Sequence, residues 1–122
     1  MANRRMISKR ISISEKVNLL SDFAKLLYTW IIPHTDDWGR IDGSPKKIKA
    51  IVMPLTTHSV KKFESAVKEI ADAGLILWYE VENDLFVQIM GFEDHQTHLE
   101  KRTDSKFPDL PKESQKIYPS AN

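Results

Sequence analysis

His95 and His98 stand three residues apart beside Asp94, a spacing that sets two imidazoles on one turn of a helix. No further ligand set accompanies them, and zinc centres take three or four protein donors. A surface or packing role is expected, with no metal. His34, Asp36 and Asp37 bring a base and two carboxylates into one short loop. Acid–base work needs such groups held on a substrate, whereas aspartates among turn residues commonly cap backbone N–H groups, and turn capping is the expectation here. The chain has no glycine-rich phosphate loop, so ATP hydrolysis is not expected. The sequence reads as a non-enzyme with no cofactor.

Cations are the chemistry that remains. The net charge is only +1, but it is unevenly spread. Residues 1–16 sum to +4 and residues 44–68 to +5, while residues 69–100 carry eight acids and no Lys or Arg. His58, Lys61, Lys62, Ser65 and Lys68 recur at the three-and-four spacing of one helix face, with Ser59 beside them. Lysine and serine bind phosphates and give an affinity that falls with salt. That face has no Arg, Asn or Gln for bidentate base contacts, so little sequence readout is expected. Lys46, Lys47 and Lys49, with an N-terminal arm containing Arg4, Arg5, Lys9 and Arg10, extend the basic half. Glu80, Glu82 and Asp84 would repel phosphate. They suit contact with the basic surface of a second copy, where Trp38 and Trp78 are candidate anchors; Trp30 is expected in the core.

A chain of 122 residues with 41% hydrophobic content can bury one small core. It has no cysteine, so disulfides and thiolate metal sites are excluded. No apolar run approaches a membrane span, and the N-terminus has no apolar stretch typical of a secretory signal. A cytoplasmic protein is expected.

Three helices position the cations. The first begins at the Ser21 cap, buries Phe23, Ala24, Leu27, Trp30 and Ile31, and ends at Pro33. A short strand around Arg40 to Asp42 lies between Gly39 and Gly43. Ser44-Pro45 opens the second helix, which buries Ile48, Ile51 and Val52 and closes at Pro54. The third starts near His58, buries Val60, Phe63, Val67, Ile70 and Ala71, and stops at Gly74, which accepts a left-handed conformation cheaply. Two strand-like runs, Leu75 to Val81 and Leu85 to Met90, follow around turn residues at Glu82-Asn83-Asp84. Alternation leaves one strand face with exposed apolar surface. The order predicts an α+β, mainly helical, winged helix-turn-helix. Residues 1–17 form a basic arm, 18–92 the domain, and 93–122 an extended tail or linker in which Phe107, Leu110, Ile117 and Tyr118 are the residues able to dock.

Leu27-Tyr28-x-Trp30-x-Ile32-Pro33-His34-x-Asp36-Asp37-x-Gly39-Arg40, then Pro45-x-x-Ile48-Lys49-Ala50 and Ala73-Gly74-Leu75-Ile76, resemble the N-terminal domain of phage replisome-organiser and DnaD-type replication proteins. Phe92-x-x-His95-Gln96 and Ser105-Lys106-Phe107-Pro108 are similar to the stretch that closes that domain. The resemblance implies a winged helix that self-associates and serves DNA replication initiation, with a replicative helicase or its loader as a further partner. It also implies a second, helical domain after a linker. The alternatives are an oligomerisation scaffold whose DNA contacts lie in such a second domain, or a winged-helix transcriptional regulator.

Overall fold

Apolar periodicity, serine caps and glycine stops decide most of the architecture. The structure, a computed structural model, describes residues 4–92, 105, 107–109 and 117–118. Its regular elements are α1 (Glu15–Asn18), α2 (Asp22–Ile31), β1 (Arg40–Asp42), α3 (Pro45–Val52), α4 (Val60–Asp72), β2 (Ile76–Val81), β3 (Asp84–Ile89) and β4 (Ile117–Tyr118), with 3-10 turns at Lys9–Ser12 and Ile32–His34. The class is α+β. The four strands are antiparallel neighbours in the order β1-β3-β2-β4.

Two serines start the long helices. Ser21 Oγ accepts from the Ala24 N–H and Ser59 Oγ from the Lys62 N–H, each satisfying a donor that helix geometry leaves over. Glu69, near the end of α4, accepts from both the N–H and the hydroxyl of Ser21, which ties α4 to the start of α2. The inward face of α4 buries Phe63, Ala66, Val67, Ile70 and Ala71, and each large side chain among them is worth about 1.5–3 kcal/mol. These pack with Leu27 and Ile31 of α2, Ile48 and Val52 of α3, and Ile41, Ile76, Val87 and Ile89 of the sheet. Gly74 ends α4 at φ +80.

Three side chains depart from the expected stripes. Trp30 is 47% exposed, and Tyr28 is buried in its place. Ile51 and Val60 are each 38% exposed. In short helices a residue at the margin of the stripe is covered only if a neighbouring element reaches over it.

Part of the stretch expected as an arm is folded onto the domain. Ser8 and Ser14 cap the Lys9–Ser12 turn and α1, and Val17 and Leu20 enter the core, so the domain begins before the expected boundary at residue 18. The hairpin turn is the two residues Glu82-Asn83, both at positive φ (52 and 71). Such a turn follows the right-handed twist of the strands it joins.

The outer face of the sheet holds Arg40, Gln88, Leu77, Tyr79 and Phe86. Part of the segment expected as a tail crosses it. The Tyr79 hydroxyl donates to Pro108 O at 2.7 Å, Phe107 lies 6.1 Å from Phe86 between ring centroids, and Arg40 meets Asp109 at 2.7 Å. β4 then pairs with Trp78 and Tyr79 of β2. Tyr79 is thereby wholly buried, and the apolar surface that strand alternation leaves on this face is covered by the chain itself. Leu110 lies outside the described residues.

Candidate nucleic-acid interface

α3 packs against α4 through a short turn at Met53 to Ser59. Because Phe63, Ala66, Val67 and Ile70 fix the inner face of α4, helical geometry sends Lys61, Lys62, Ser65 and Lys68 outward, and all four are exposed. Lys61 has no ion pair among the described residues. The Lys62 ammonium lies 5.0 Å over the Phe23 ring, and Lys68 reaches Asp72 one turn along at 3.3 Å. His58 is exposed at the entrance to the helix, its ring edge-on to Phe23 at 4.8 Å. Ser59 differs from its neighbours: its hydroxyl is the helix cap, so its first role is structural. On α3, Lys46 and Lys47 are exposed, Lys49 is half-buried, and Lys47 lies 3.9 Å from Asp42.

Arg5 is withdrawn from the candidate phosphate-binding set. Its guanidinium donates to Asp37 Oδ1 at 2.8 Å and to Thr35 O at 3.2 Å, and its side chain is 7% exposed. It also lies 5.5 Å over the Phe92 ring. A cation already paired and desolvated has little left to offer a phosphate. Arg4, next to it, is exposed.

The loop with the histidine and two aspartates is built for turn formation. Asp36 is buried; one carboxylate oxygen accepts from the Trp38 and Arg40 N–H groups and the other from the Ser105 hydroxyl. Asp37 holds Arg5, and His34 points to the surface. Gly39 sits at φ +77, and a methyl group there would lie 2.6 Å from Phe92 Cγ, so the turn requires glycine. The described residues contain no group of three His, Asp or Glu side chains able to hold a metal. Asp94, His95 and His98 lie outside them.

Of the candidate oligomer contacts, Glu82 and Asp84 are exposed at the hairpin tip and Glu80 is half-buried. The two tryptophans are built into the fold. Trp78 Nε1 donates to Gly43 O at 2.8 Å and packs against the core. Trp38 O accepts from Gln88 Nε2, and its ring lies 5.9 Å from the Arg40 guanidinium. The exposed tryptophan is Trp30, beside Leu26 at 43% and Leu55 at 96% exposure. Leu26 lies one helical turn from Trp30, and its place off the expected buried stripe is the sequence signal for this surface.

Burial leaves the Tyr28 and Tyr79 phenols harder to ionise, and Tyr79 is pushed up to about 12. Neighbouring Arg40 opposes that rise, while Asp36 and Asp109 add to it. Both phenols are held neutral, with no chemistry implied.

No family model, curated protein or solved structure matches this chain. Function therefore rests on the site itself. Among the described residues no helix is long and apolar enough to cross a membrane.

Proposed function

We propose that this chain is the winged-helix module of a DNA replication initiation protein of the replisome-organiser or DnaD type. In this reading α3 and α4 are the helix-turn-helix, α4 is the helix presented to DNA, and the β2–β3 hairpin is the wing. One observation carries the reading: Lys61, Lys62 and Ser65 are exposed in the first two turns of α4 with Glu64 as the one acid there, and Lys68 follows in the third turn, while the inward face is locked into the core. Helix-turn-helix proteins approach base edges with the N-terminal residues of this helix. Lysines there favour phosphate contacts, so duplex DNA is held with little sequence preference. Lys46, Lys47, Lys49 and Arg4 supplement them, and the acidic hairpin tip stays away from the DNA backbone. Further copies of the chain and a replicative helicase or its loader are the protein partners this reading carries.

The lack of base-reading side chains on α4 disfavours a transcriptional regulator. The exposed acids Glu82 and Asp84, opposite in sign to Lys61 and Lys62, favour the oligomerisation scaffold as the second reading. Fluorescence anisotropy of a labelled duplex, at low and at near-physiological salt, separates the two. Binding that falls steeply with salt supports the DNA module, and no binding at low salt transfers the proposal to the scaffold.

A further inference from the structure

An open groove of about 380 Å³ lies between α2 and the α3–α4 turn. Phe23, Leu26 and Trp30 line it from α2, and Met53, Leu55 and His58 from the turn. Leu55 is almost fully exposed, and no hydrogen bond engages the Trp30 indole N–H among the described residues. Monomeric proteins seldom leave Trp, Leu and Phe together at the surface unless something covers them. A groove that seats one tryptophan-sized neighbour also fits the pattern of an interaction hot spot.

Charge selects the occupant. The α4 side of the groove is cationic: the Lys62 ammonium stands over the Phe23 ring, the His58 ring abuts that same ring, and Lys61 is adjacent in the first turn of α4. Of the nearby acids, Asp22 lies 3.9 Å from Lys25 and Glu69 is taken up by Ser21, which leaves exposed Glu64 against Lys61, Lys62 and His58. We propose that this groove binds an acidic peptide segment of another protein. A leucine, phenylalanine or tryptophan of that segment seats between Trp30 and Leu55, and flanking Asp or Glu residues face Lys61 and Lys62.

The lining disfavours other occupants. Leu26, Met53 and Leu55 offer aliphatic surface, whereas an unstacked nucleobase requires aromatic faces and partners for its polar edge. A second copy presents Met6, Ile7 and Ile13 among Arg4, Lys9 and Arg10, which the rim repels, and Leu19, 82% exposed, beside Lys16 as well as Glu15. Its exposed acids Glu82 and Asp84 stand next to half-buried Val81 and Leu85, with no protruding anchor. Since the peptide and DNA would both use Lys61 and Lys62, the two compete.

The test is an NMR titration of the isotope-labelled full chain with a ten-residue synthetic peptide carrying one Leu and one Phe among Asp and Glu, set against its Asn/Gln counterpart. Shifts are expected at the Trp30 indole N–H and along Met53 to His58. The neutral peptide, and the acidic peptide with K61Q/K62Q, should each bind about three- to tenfold more weakly, the range for a few exposed charge pairs. W30A and L55S should abolish the shifts; both positions are exposed, and an unchanged spectrum elsewhere verifies that the fold is kept. The proposal is overturned by the absence of groove shifts, by equal binding of the neutral peptide, or by a Trp30 signal that moves when the free chain is diluted. It is equally overturned if single-stranded DNA alone produces the shifts. W30A and L55S leave the lysines untouched, so loss of peptide binding with duplex binding intact bears on the groove and not on the DNA reading.

Discussion

Replacing Lys61 and Lys62 by Gln gives the sharpest test of α4 as the DNA-contacting helix, because the outcome can be worked out from the ion pairs. α3 and α4 carry Lys46, Lys47, Lys49, Lys61, Lys62 and Lys68. Lys47 and Lys68 have carboxylates at 3.9 and 3.3 Å and would trade those partners for phosphates at little gain, so the helices' share of the salt dependence comes from Lys46, Lys49, Lys61 and Lys62, with Arg4 adding the same increment to parent and variant. Each phosphate contact contributes about −0.9 to the slope of log K against log salt, so these lysines together give about −3.6. Raising salt from about 50 to about 200 mM then weakens binding about 150-fold. In K61Q/K62Q the slope should fall to about −1.8 and the same salt change should cost about twelvefold. Duplex anisotropy over a salt series measures both slopes. Both side chains are exposed, so the thermal unfolding free energy should stay within about 0.5 kcal/mol of the parent. A slope unchanged by the double substitution, in a protein that binds duplex, would place the phosphate contacts elsewhere and refute the assignment of α4.

Three further outcomes concern the scaffold behind the site. Arg5→Ala removes the ion pair with Asp37 and the hydrogen bond to Thr35 O; an unfolding free energy lower by about 1–3 kcal/mol in urea is expected, since the pair is largely but not wholly buried. Tyr79→Phe removes the hydrogen bond to Pro108 O and should cost about 1 kcal/mol at neutral pH. Because the folded phenol ionises near 12 and an unfolded one near 10, its contribution is complete below pH 10 and is lost as pH rises toward 12; Tyr79→Phe should flatten that alkaline fall in urea midpoints. E82N/N83G places the residues best suited to positive φ in the hairpin turn and should stabilise the protein by about 0.5–1.5 kcal/mol in thermal unfolding.

The elements that position α4 were legible because their signals are local. Ser21 and Ser59 cap where a serine precedes a periodic run, Gly74 stops where a positive φ is needed, and β1 falls between two glycines. The outward direction of Lys61, Lys62 and Lys68 follows from the inward direction of Phe63 and Ile70. Most of the misreadings depend on distant partners. Arg5 reads as an arm cation until Asp37, 32 residues away, is seen beside it. Phe107 and Ile117 were legible as residues able to dock, but the destination was not, since Tyr79, Phe86 and Arg40 carry no mark of the segment that covers them. Trp30 misleads for the opposite reason: it sits at the margin of a stripe, and no neighbouring element reaches across to bury it.

The short pairing of β4 with Trp78 and Tyr79 has a consequence for how this molecule meets others. A two-stranded hairpin beside a brief outer strand usually offers a run of unmatched amides and carbonyls along its open side, which invites a foreign strand to add on. Here the middle of that side is already occupied by the chain's own Ile117-Tyr118, and the opposite border is the three-residue β1. The sheet is thus a poor template for intermolecular strand growth. The contacts proposed above, with DNA and with an acidic peptide, are left to side chains, whose strength salt and single substitutions can tune.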